Sequence, residues 1–348
     1  MAGQSERTDR RAAIRFASEL FQSAERAAVL GAAIRLGPWN IETHYALHPD
    51  TLDFVSRAFL PASDGGRTFR LIVADGHELP VIPNLDWASP WTTTHVPVPE
   101  NHTYPYRIFA DVYAGILYVW DTVAHRGLIW IRRRSELDFR VLVTPFRLMF
   151  SWMAHSKGSL VLHAGVGAVA NQGVMLSGPS GSGKSTTSIS LGLFRGGLLA
   201  DDCVLLEGLQ AHAIYARAKI DFSALRLMGR SSMTTEVVPG FEYGKRMMDL
   251  SQLGDQFLET INVGAIAFPS RNRSAGIYPV SAAAASNRLS IDSRRELFGG
   301  SVRDRILIAA LCSSVPAFHL NLESTTSDVM HQCDSLAARI DQASEGVA

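Results

Sequence analysis

The chain has 348 residues, of which 47% are hydrophobic and 19% are charged, so it has enough apolar side chains for a sizeable core and favours two domains over one. Its 33 lysines and arginines balance 33 aspartates and glutamates, which predicts neither nucleic acid nor an anionic membrane as a partner. Three widely spaced cysteines without a CxxC pair argue against a disulfide framework or a zinc site and favour a cytoplasmic protein, and no apolar stretch is long enough to predict a transmembrane helix.

Residues 1–140 carry mixed signals that predict a small, β-rich α+β domain. Residues 11–35 are rich in alanine and leucine and favour a helix, and residues 48–60 show an amphipathic helical pattern with Pro49 near its start. Residues 80–105 are rich in proline and tryptophan, which is typical of irregular structure. Three runs of β-branched and aromatic residues predict strands, and the last two are expected to pair across a turn: 68–73, 115–120 and 127–132.

From residue 141 to residue 348 the pattern is clearer and predicts an α/β domain. Residues 145–154 favour a buried helix, and a strand–loop–helix–strand order follows, which is typical of a nucleotide-binding βαβ-type unit. The predicted elements of that unit are strands at 160–170 and 174–177, a helix at 184–194 that stops at Gly196-Gly197, and a strand at 198–206. The last predicted elements are a helix at 302–312, a strand at 317–322 and a terminal helix at 327–342.

One motif in this second domain has a specific chemical meaning. Residues 178–186 read GPSGSGKST and fit the phosphate-loop pattern GxxxxGK[ST] without a mismatch. Glycines let backbone N–H groups wrap around phosphates, and the positive N-terminal end of the following helix adds to the attraction. Lys184 is expected to reach the β- and γ-phosphates and Ser185 to bind Mg²⁺. The predicted cofactors are therefore ATP and Mg²⁺, held by Gly178, Pro179, Ser180, Gly181, Ser182, Gly183, Lys184, Ser185 and Thr186.

Two adjacent carboxylates and an upstream histidine are further candidates. Asp201 and Asp202 follow the predicted helix at a distance that returns the chain to the phosphates, where a carboxylate can hold Mg²⁺ or accept a proton from a hydroxyl. Because adjacent strand residues point to opposite faces, one of them should face the γ-phosphate and the other should support it. An acidic turn at a strand edge is the alternative. His163 lies in a predicted apolar strand, where a structural histidine is more common than a catalyst.

The combination of LVLHAGVGAV, GPSGSGKST and LLADDCVLL resembles the catalytic domain of HPr kinase/phosphorylase and the wider HPr-kinase-like serine kinases. The branch that phosphorylates lasso-peptide precursors is the most similar, and the resemblance covers residues 155–222 and, weakly, residues up to 325. It implies the P-loop fold of the HPr kinases and PEP carboxykinases, and transfer of the γ-phosphoryl group of ATP to a serine hydroxyl of a protein or peptide. A homo-oligomer is implied as well, since HPr-kinase relatives often form hexamers.

The resemblance also implies residue roles. Lys184 would bind the phosphates and Ser185 the metal. Asp202 would be the general base, Asp201 would support it, and His163 would position or tune the site. Asp202 is also predicted as a metal ligand together with Ser185. The chain departs from the family where it reads IDFSAL at 220–225, because the family has a metal-binding glutamate there, and the family's later phosphorolysis loop is not found. HPr itself and the reverse phosphorylase reaction are therefore not expected, and a lasso-peptide precursor is the preferred acceptor.

Four other residues are candidates for the substrate side. Tyr215 and Lys219 resemble the YxxxK segment of the lasso-type kinases, with a plain amphipathic element as the alternative, and Lys245 with Arg246 could meet phosphate or an acidic peptide. Two other functions remain open at this point: a nucleotide-binding sensor that does not transfer phosphate, and a small-molecule kinase.

Overall fold

The computed structural model divides into two compact units, 1–156 and 157–348, and each combines helices with β-sheet, so the protein is of the mixed α/β type. Within the described ranges, none of the helices is both long and apolar enough to cross a membrane. The residues that the structure describes are 2–79, 106–111, 114–133, 135, 137, 139–221, 225–226, 233, 235–237, 245–270, 276–293, 301–322, 334–336 and 338–339.

The first unit is built on a mixed sheet whose strand order is β1-β3-β4-β7-β6-β5, with β2 paired to β3. Strands β3, β4 and β7 are parallel, whereas β7, β6 and β5 form an antiparallel meander. Its elements are α1 (Ala2–Ala27), β1 (Val29–Leu30), β2 (Ile34–Leu36), β3 (Trp39–Ala46), α2 (Pro49–Ser56), β4 (Arg67–Asp75), β5 (Tyr106–Asp111), β6 (Ile116–Asp121), β7 (Arg126–Ile131), α3 (Phe139–Val143) and α4 (Arg147–Ser156).

Helix α1 closes one face of this sheet. Its buried residues recur at helical spacing, which places them on one side of the helix: Ala17, Leu20, Phe21 and Ala24. They join one apolar cluster with inward-facing strand residues such as Ile72 and Leu128. The sheet and the helix together bury the core of this unit.

Several sequence predictions for this unit are confirmed. Strands β4, β6 and β7 lie where runs 68–73, 115–120 and 127–132 predicted them, and β6 pairs with β7 in the expected antiparallel hairpin. The helix predicted at 48–60 is present as the shorter α2, which begins at Pro49 as expected. Residues 80–105, predicted to be irregular, lie outside the described residues.

The prediction of one helix over residues 11–35 is wrong for residues 28–35. Helix α1 ends at Ala27, and the chain then forms β1 and β2, which pair with β3. Gly31 lies so close to the Tyr45 ring that an added Cβ would be 2.2 Å from it. Alanine-rich composition favoured a helix there, but pairing with β3, the next strand along the chain, prevails, because the outcome for such residues depends on their packing context.

The second unit contains a larger branched sheet and a small separate one. The larger sheet has the order β11-β9-β10-β17-β13-β12-β8, with β19 also paired to β17 and β18 to β19, and the small sheet has the order β14-β16-β15. Its elements are β8 (Leu160–Leu162), β9 (Gly165–Val169), β10 (Gln172–Leu176), α5 (Lys184–Phe194), β11 (Leu198–Ala200), β12 (Val204–Glu207), β13 (Gln210–Ala213), β14 (Arg217–Asp221), β15 (Thr235–Val237), β16 (Lys245–Asp249), a 3-10 helix (Leu250–Gln256), β17 (Thr260–Ser270), β18 (Gly276–Val280), α6 (Ala282–Asp292), α7 (Val302–Ser314) and β19 (Ala317–Asn321).

Helix α5 packs between the two sheets. Leu191 faces a cluster formed by the larger sheet, whereas Ile189 and Leu193 pack against Ala218 and Ile220 of strand β14. Strands β10, β17 and β19 are parallel, so their carboxyl ends lie on the same edge of the larger sheet. The segment that joins β10 to α5 starts at this edge, where ligands bind in open α/β sheets.

The sequence predictions for helices hold well in residues 141–348. Helix α5 spans the predicted 184–194, α4 lies two residues beyond the predicted 145–154, and α7 and β19 lie at the predicted 302–312 and 317–322. The terminal helix predicted at 327–342 falls largely outside the described residues, of which 334–336 and 338–339 are helical.

Two predicted strands are wrong as single strands. The run 160–170 is divided into β8 and β9 by a bend at His163, and the run 198–206 is divided into β11 and β12 by a bend at Asp201-Asp202-Cys203. The strand–loop–helix–strand order is confirmed: β10 and β11 both pair antiparallel with β9, which lies between them. Each bend turns the chain from one part of the larger sheet to another, a role that apolar composition does not reveal.

Candidate functional site

The segment 178–183, here called the glycine loop, joins the carboxyl end of β10 to the start of α5. Gly181 and Gly183 have φ angles of 83° and 109°, in the left-handed region that glycine adopts without a Cβ penalty. Gly183 is the N-cap residue of α5, and it has no side chain to cap the helix. Amides of the first helical turn lack partners within the helix, so this end of α5 is suited to an anion.

Lys184 is the buried cation of the loop. Its ammonium donates hydrogen bonds to the carbonyl oxygens of Gly178 at 2.5 Å and Pro179 at 3.1 Å. Burial lowers the pKa of Lys184, an effect that the carboxylates of Asp202 and then Asp292 oppose and that the nearby charge of Lys219 reinforces. The ammonium is thus held inside the loop by the loop's own carbonyls, beside two carboxylates.

The hydroxyls of the motif provide a test of whether a triphosphate fits. The Ser182 hydroxyl is buried and has no hydrogen-bond partner among the residues that the structure describes, although a buried polar atom normally has one. A phosphate oxygen in the loop would supply an acceptor. Ser185 and Thr186 lie half-buried in the first turn of α5, whereas Pro179 and Ser180 are exposed at the tip of the loop. The residues present therefore fit a bound phosphate chain.

For a metal ion the donor set is small. Among the residues that the structure describes, no group of three or more His, Cys, Asp or Glu side chains could hold a metal ion by itself. Mg²⁺ usually takes one or two protein ligands and completes its shell with water and substrate phosphates. The Ser185 hydroxyl and the Asp202 carboxylate are the kind of ligands that such a site uses. Its coordination shell would be completed by the phosphates of the nucleotide.

Asp201 and Asp202 lie in the bend between β11 and β12, not within a strand as predicted. Both are buried, and they have different partners. The Asp201 carboxylate accepts a hydrogen bond from the backbone N–H of Lys219 at 2.8 Å. The Asp202 carboxylate lies 2.5 Å from the Lys219 ammonium, in a nearly buried ion pair. Asp201 thus anchors the backbone of strand β14 at Lys219, and Asp202 binds the Lys219 side chain.

His163 occupies the bend between β8 and β9, so the prediction of an apolar strand position is corrected. Its Nε2 is 3.6 Å from an Asp202 carboxylate oxygen, close enough for charge interaction or a bridging water but too long for a direct hydrogen bond. Its backbone N–H donates to the hydroxyl of Ser293 at 3.0 Å. The bend brings the imidazole to Asp202, which a position in the middle of a continuous strand would not explain.

The candidates for the substrate side are only partly brought together. Lys219 contacts Asp202, and the charge of Lys245 acts on Lys184. Tyr215 is buried just before β14, and Arg246 donates to the Thr235 hydroxyl at 3.3 Å within the small sheet. The small sheet therefore brings Lys219 to Asp202, and for Lys245 only a weak electrostatic effect on Lys184 connects it with the site.

Sequence reasoning missed one part of this region. At the end of α6, the Asp292 carboxylate accepts a hydrogen bond from the hydroxyl of Ser177, the residue that precedes the glycine loop, at 3.0 Å. The next residue, Ser293, is the acceptor for the backbone of His163. No local pattern marks this pair, since it follows the loop by more than a hundred residues and precedes an ordinary run of charged residues.

Comparison with known proteins adds no family assignment: neither a protein-family model nor a curated protein matches the chain. The fold class rests on the structure, a mixed α/β protein with several sheets and helices. The site rests on its geometry: a buried lysine bonded to the carbonyls of the glycine loop, Asp292 bonded to the residue before the loop, and a buried Asp202 paired with Lys219.

Proposed function

We propose that the protein is a cytoplasmic, ATP-dependent kinase that transfers the γ-phosphoryl group to a serine hydroxyl of a protein or peptide. The observation that carries the proposal is the position of Asp202: its charge acts on the glycine-loop lysine, Lys184, from a buried bend. A phosphate-binding loop alone is compatible with binding or hydrolysis. A buried carboxylate beside the lysine adds the group that a hydroxyl acceptor needs.

In this proposal the chain contributes positioning, charge and a proton acceptor. The loop amides and Lys184 would bind the phosphates, and Ser185 with Asp202 would hold Mg²⁺, which would neutralise phosphate charge. Asp202 accepts the proton of the serine hydroxyl as that oxygen bonds to the γ-phosphorus, while the bond from the γ-phosphorus to the β,γ-bridging oxygen breaks and ADP leaves with that oxygen. The Lys219 ammonium lies 2.5 Å from the Asp202 carboxylate and holds it in place before the acceptor arrives. Asp201 supports the arrangement by fixing the backbone of Lys219.

The acceptor is proposed from the resemblance to the HPr-kinase-like serine kinases. That resemblance covers the His163, glycine-loop and Asp201-Asp202 segments, and these are the segments that meet in the second unit. The chain lacks the family's glutamate in the segment 220–225, which disfavours HPr and leaves a biosynthetic peptide such as a lasso-peptide precursor as the preferred acceptor. We assign the P-loop kinase domain to the second unit and a role in acceptor choice to the first.

The direct test is transfer of labelled phosphate. Purified protein is incubated with ATP labelled in the γ-position, Mg²⁺ and the peptides or carrier proteins encoded beside it, and the acceptor serine is mapped by mass spectrometry. We expect Asp202→Asn to reduce transfer by at least about a hundredfold, as general-base removal typically does, while Mg·ATP still binds. Asp255→Asn is the matched control, because Asp255 is an exposed aspartate of the 3-10 helix. Full transfer by Asp202→Asn would refute the assigned base.

A nucleotide sensor is the second candidate, and the ion pair between Lys219 and Asp202 favours it. That pair occupies the Asp202 carboxylate, and triphosphate binding at Lys184 would compete for Lys219 and alter the small sheet. Tight Mg·ATP binding by the wild-type protein without turnover on any encoded acceptor would select the sensor over the kinase.

A further inference from the structure

The carboxyl end of helix α6 meets the proposed nucleotide site at two points. Asp292 is the last residue of α6, and Ser293 follows it at the helix end, with its N–H bonded to the carbonyl of Leu289 at 3.0 Å. Leu289 and Ala285 are buried, so the helix is fixed by its own apolar face. The end of α6 is therefore held in one place, and its side chains can position other segments.

The first contact is between Asp292 and Ser177. The Ser177 side chain is fully buried, and its hydroxyl donates to the Asp292 carboxylate at 3.0 Å. The Ser177 backbone N–H donates to Ala267 of strand β17, so both the backbone and the side chain of this residue are fixed. Because Ser177 immediately precedes Gly178, the Asp292 bond sets the direction in which the glycine loop leaves the sheet.

The second contact is between Ser293 and His163. Ser293 is fully buried, and its hydroxyl oxygen accepts the backbone N–H of His163 at the bend between β8 and β9. Within two adjacent residues, α6 thus holds the entry to the glycine loop and the bend that carries the imidazole. These partners are 115 and 130 residues away in sequence, so the contacts exist only in the folded chain.

We propose that Asp292 is a positioning residue for nucleotide binding, which acts by accepting the Ser177 hydroxyl and so holding the glycine loop in its binding conformation. The inference rests on the proposed function, since it names a further residue of the same site. A loop that is already ordered binds its ligand without the additional cost of ordering. Without the bond, the buried Ser177 hydroxyl loses its acceptor and the loop entry loses one of its two anchors.

The experiment measures the dissociation constant of Mg·ATP by calorimetry for the full-length chain and a set of variants. Asp292→Ala and Ser177→Ala should each weaken Mg·ATP binding about tenfold. The double variant should bind Mg·ATP as well as the single variant with the lower affinity, because both substitutions remove the same hydrogen bond. Asp292→Asn should stay within about twofold of wild type, since its amide oxygen still accepts the Ser177 hydroxyl.

Ser290→Ala is the matched control, because the Ser290 hydroxyl donates to the Ser286 carbonyl at 2.8 Å within α6 and contacts neither the glycine loop nor His163. We expect its affinity for Mg·ATP to stay within about twofold of wild type. Equal weakening by Ser290→Ala would show a general effect of α6 and overturn the assignment to Asp292. Wild-type affinity in both Asp292→Ala and Ser177→Ala would overturn it, as would a loss in Asp292→Asn equal to that in Asp292→Ala.

Two further results keep this inference separate from the proposed function. If the wild-type chain does not bind Mg·ATP, the proposed function fails and the inference fails with it. If the wild type binds Mg·ATP and all the variants bind it with the same affinity, only the role of Asp292 is refuted. Should Asp292→Ala not fold, Ser177→Ala, which removes a single oxygen atom, and Asp292→Asn still decide between the outcomes.

Discussion

Lys184 is an ammonium in a site where burial opposes its charge. Its hydrogen bonds go to carbonyl oxygens of Gly178 and Pro179, which are neutral, and its carboxylate neighbours act at longer range. Of these, Asp202 is paired with Lys219, whereas Asp292 accepts a hydrogen bond from the neutral Ser177 hydroxyl. The two carboxylates therefore offset the burial of the Lys184 charge only in part, and in the proposed function a triphosphate would add further negative charge.

This imbalance predicts a dependence of stability on pH. The pKa of Lys184 is lowered by burial, so between that lowered pKa and the ordinary value of 10.5 the unfolded chain binds more protons than the folded one. The free energy of unfolding of the wild type, relative to that of Lys184→Met, should therefore rise with pH between these two pKa values. At pH values below the lowered pKa, the full cost of burying the charge is present. Urea denaturation of both proteins from about pH 7 to about pH 10.5 measures the difference.

Comparison with Lys184→Met is needed because other groups titrate in the same range. Burial raises the pKa of the Cys312 thiol from 9.0 to about 11. As the pH rises above 9.0, this residue therefore lowers the free energy of unfolding. Cys312 is present in both proteins, and its contribution cancels in the difference. If the free energy of unfolding of the wild type, minus that of Lys184→Met, stays constant or falls with pH, the role of burial at Lys184 is contradicted.

At the scale of elements, the distance between α5 and the larger sheet depends on small residues. A Cβ added at Gly167 of strand β9 would lie 2.6 Å from the Leu191 Cβ and 2.9 Å from the Ser188 carbonyl oxygen of α5. A Cβ added at Gly192 of α5 would lie 2.5 Å from the Leu198 Cβ of β11. Glycine at both positions lets helix and sheet approach closely, and this approach sets where the glycine loop begins.

Gly167→Ala should therefore destabilise the protein by about 1–3 kcal/mol, because the methyl group overpacks the interface between α5 and β9. It should also weaken Mg·ATP binding, since α5 begins at Lys184 and its displacement moves the loop. Chemical denaturation and calorimetry measure the two effects. The matched control is Gly66→Ala, because a Cβ there meets nothing within 4 Å, so a change of no more than about 0.5 kcal/mol is expected. Equal stability of the two variants would contradict the close-packing argument.

At the scale of the whole molecule, every residue assigned to nucleotide binding lies in the second compact unit, 157–348. The site gathers segments that are far apart in sequence: the bend at His163, the glycine loop, the bend at Asp201-Asp202, strand β14 and the end of α6. A ligand that bridges these segments should stabilise all of them together.

Hydrogen exchange read by mass spectrometry tests this expectation. With Mg·ATP at about a hundred times its dissociation constant, which stabilises the folded state by about 2.7 kcal/mol, exchange should slow in peptides that cover 178–187, His163 and Asp201-Asp202. Peptides from strands β4, β6 and β7 of the first unit should keep their rates. Protection centred on the first unit instead would place the nucleotide elsewhere and contradict the assigned site.

Much of this arrangement could be read from short-range patterns. The bounds of α5, the glycine loop and the hairpin of β6 and β7 follow from turn residues and periodicity that act over a few positions. The division of 198–206 could not be read in the same way, because an apolar run looks alike whether it is one strand or two. Residues 28–35 show the same limit, since their composition favoured a helix and β3 draws them into a sheet.

The chemistry of the phosphate-loop motif belongs to the nine residues 178–186, which are contiguous and carry their conformational requirements with them. The position of the groups around it depends on long-range packing: the bends that bring His163 and Asp202 within 3.6 Å, the strand that directs Lys219 to Asp202, and the helix end that presents Asp292 to Ser177. Local steric preferences act between neighbours in sequence, whereas these contacts join residues that become neighbours only when the sheets and helices pack.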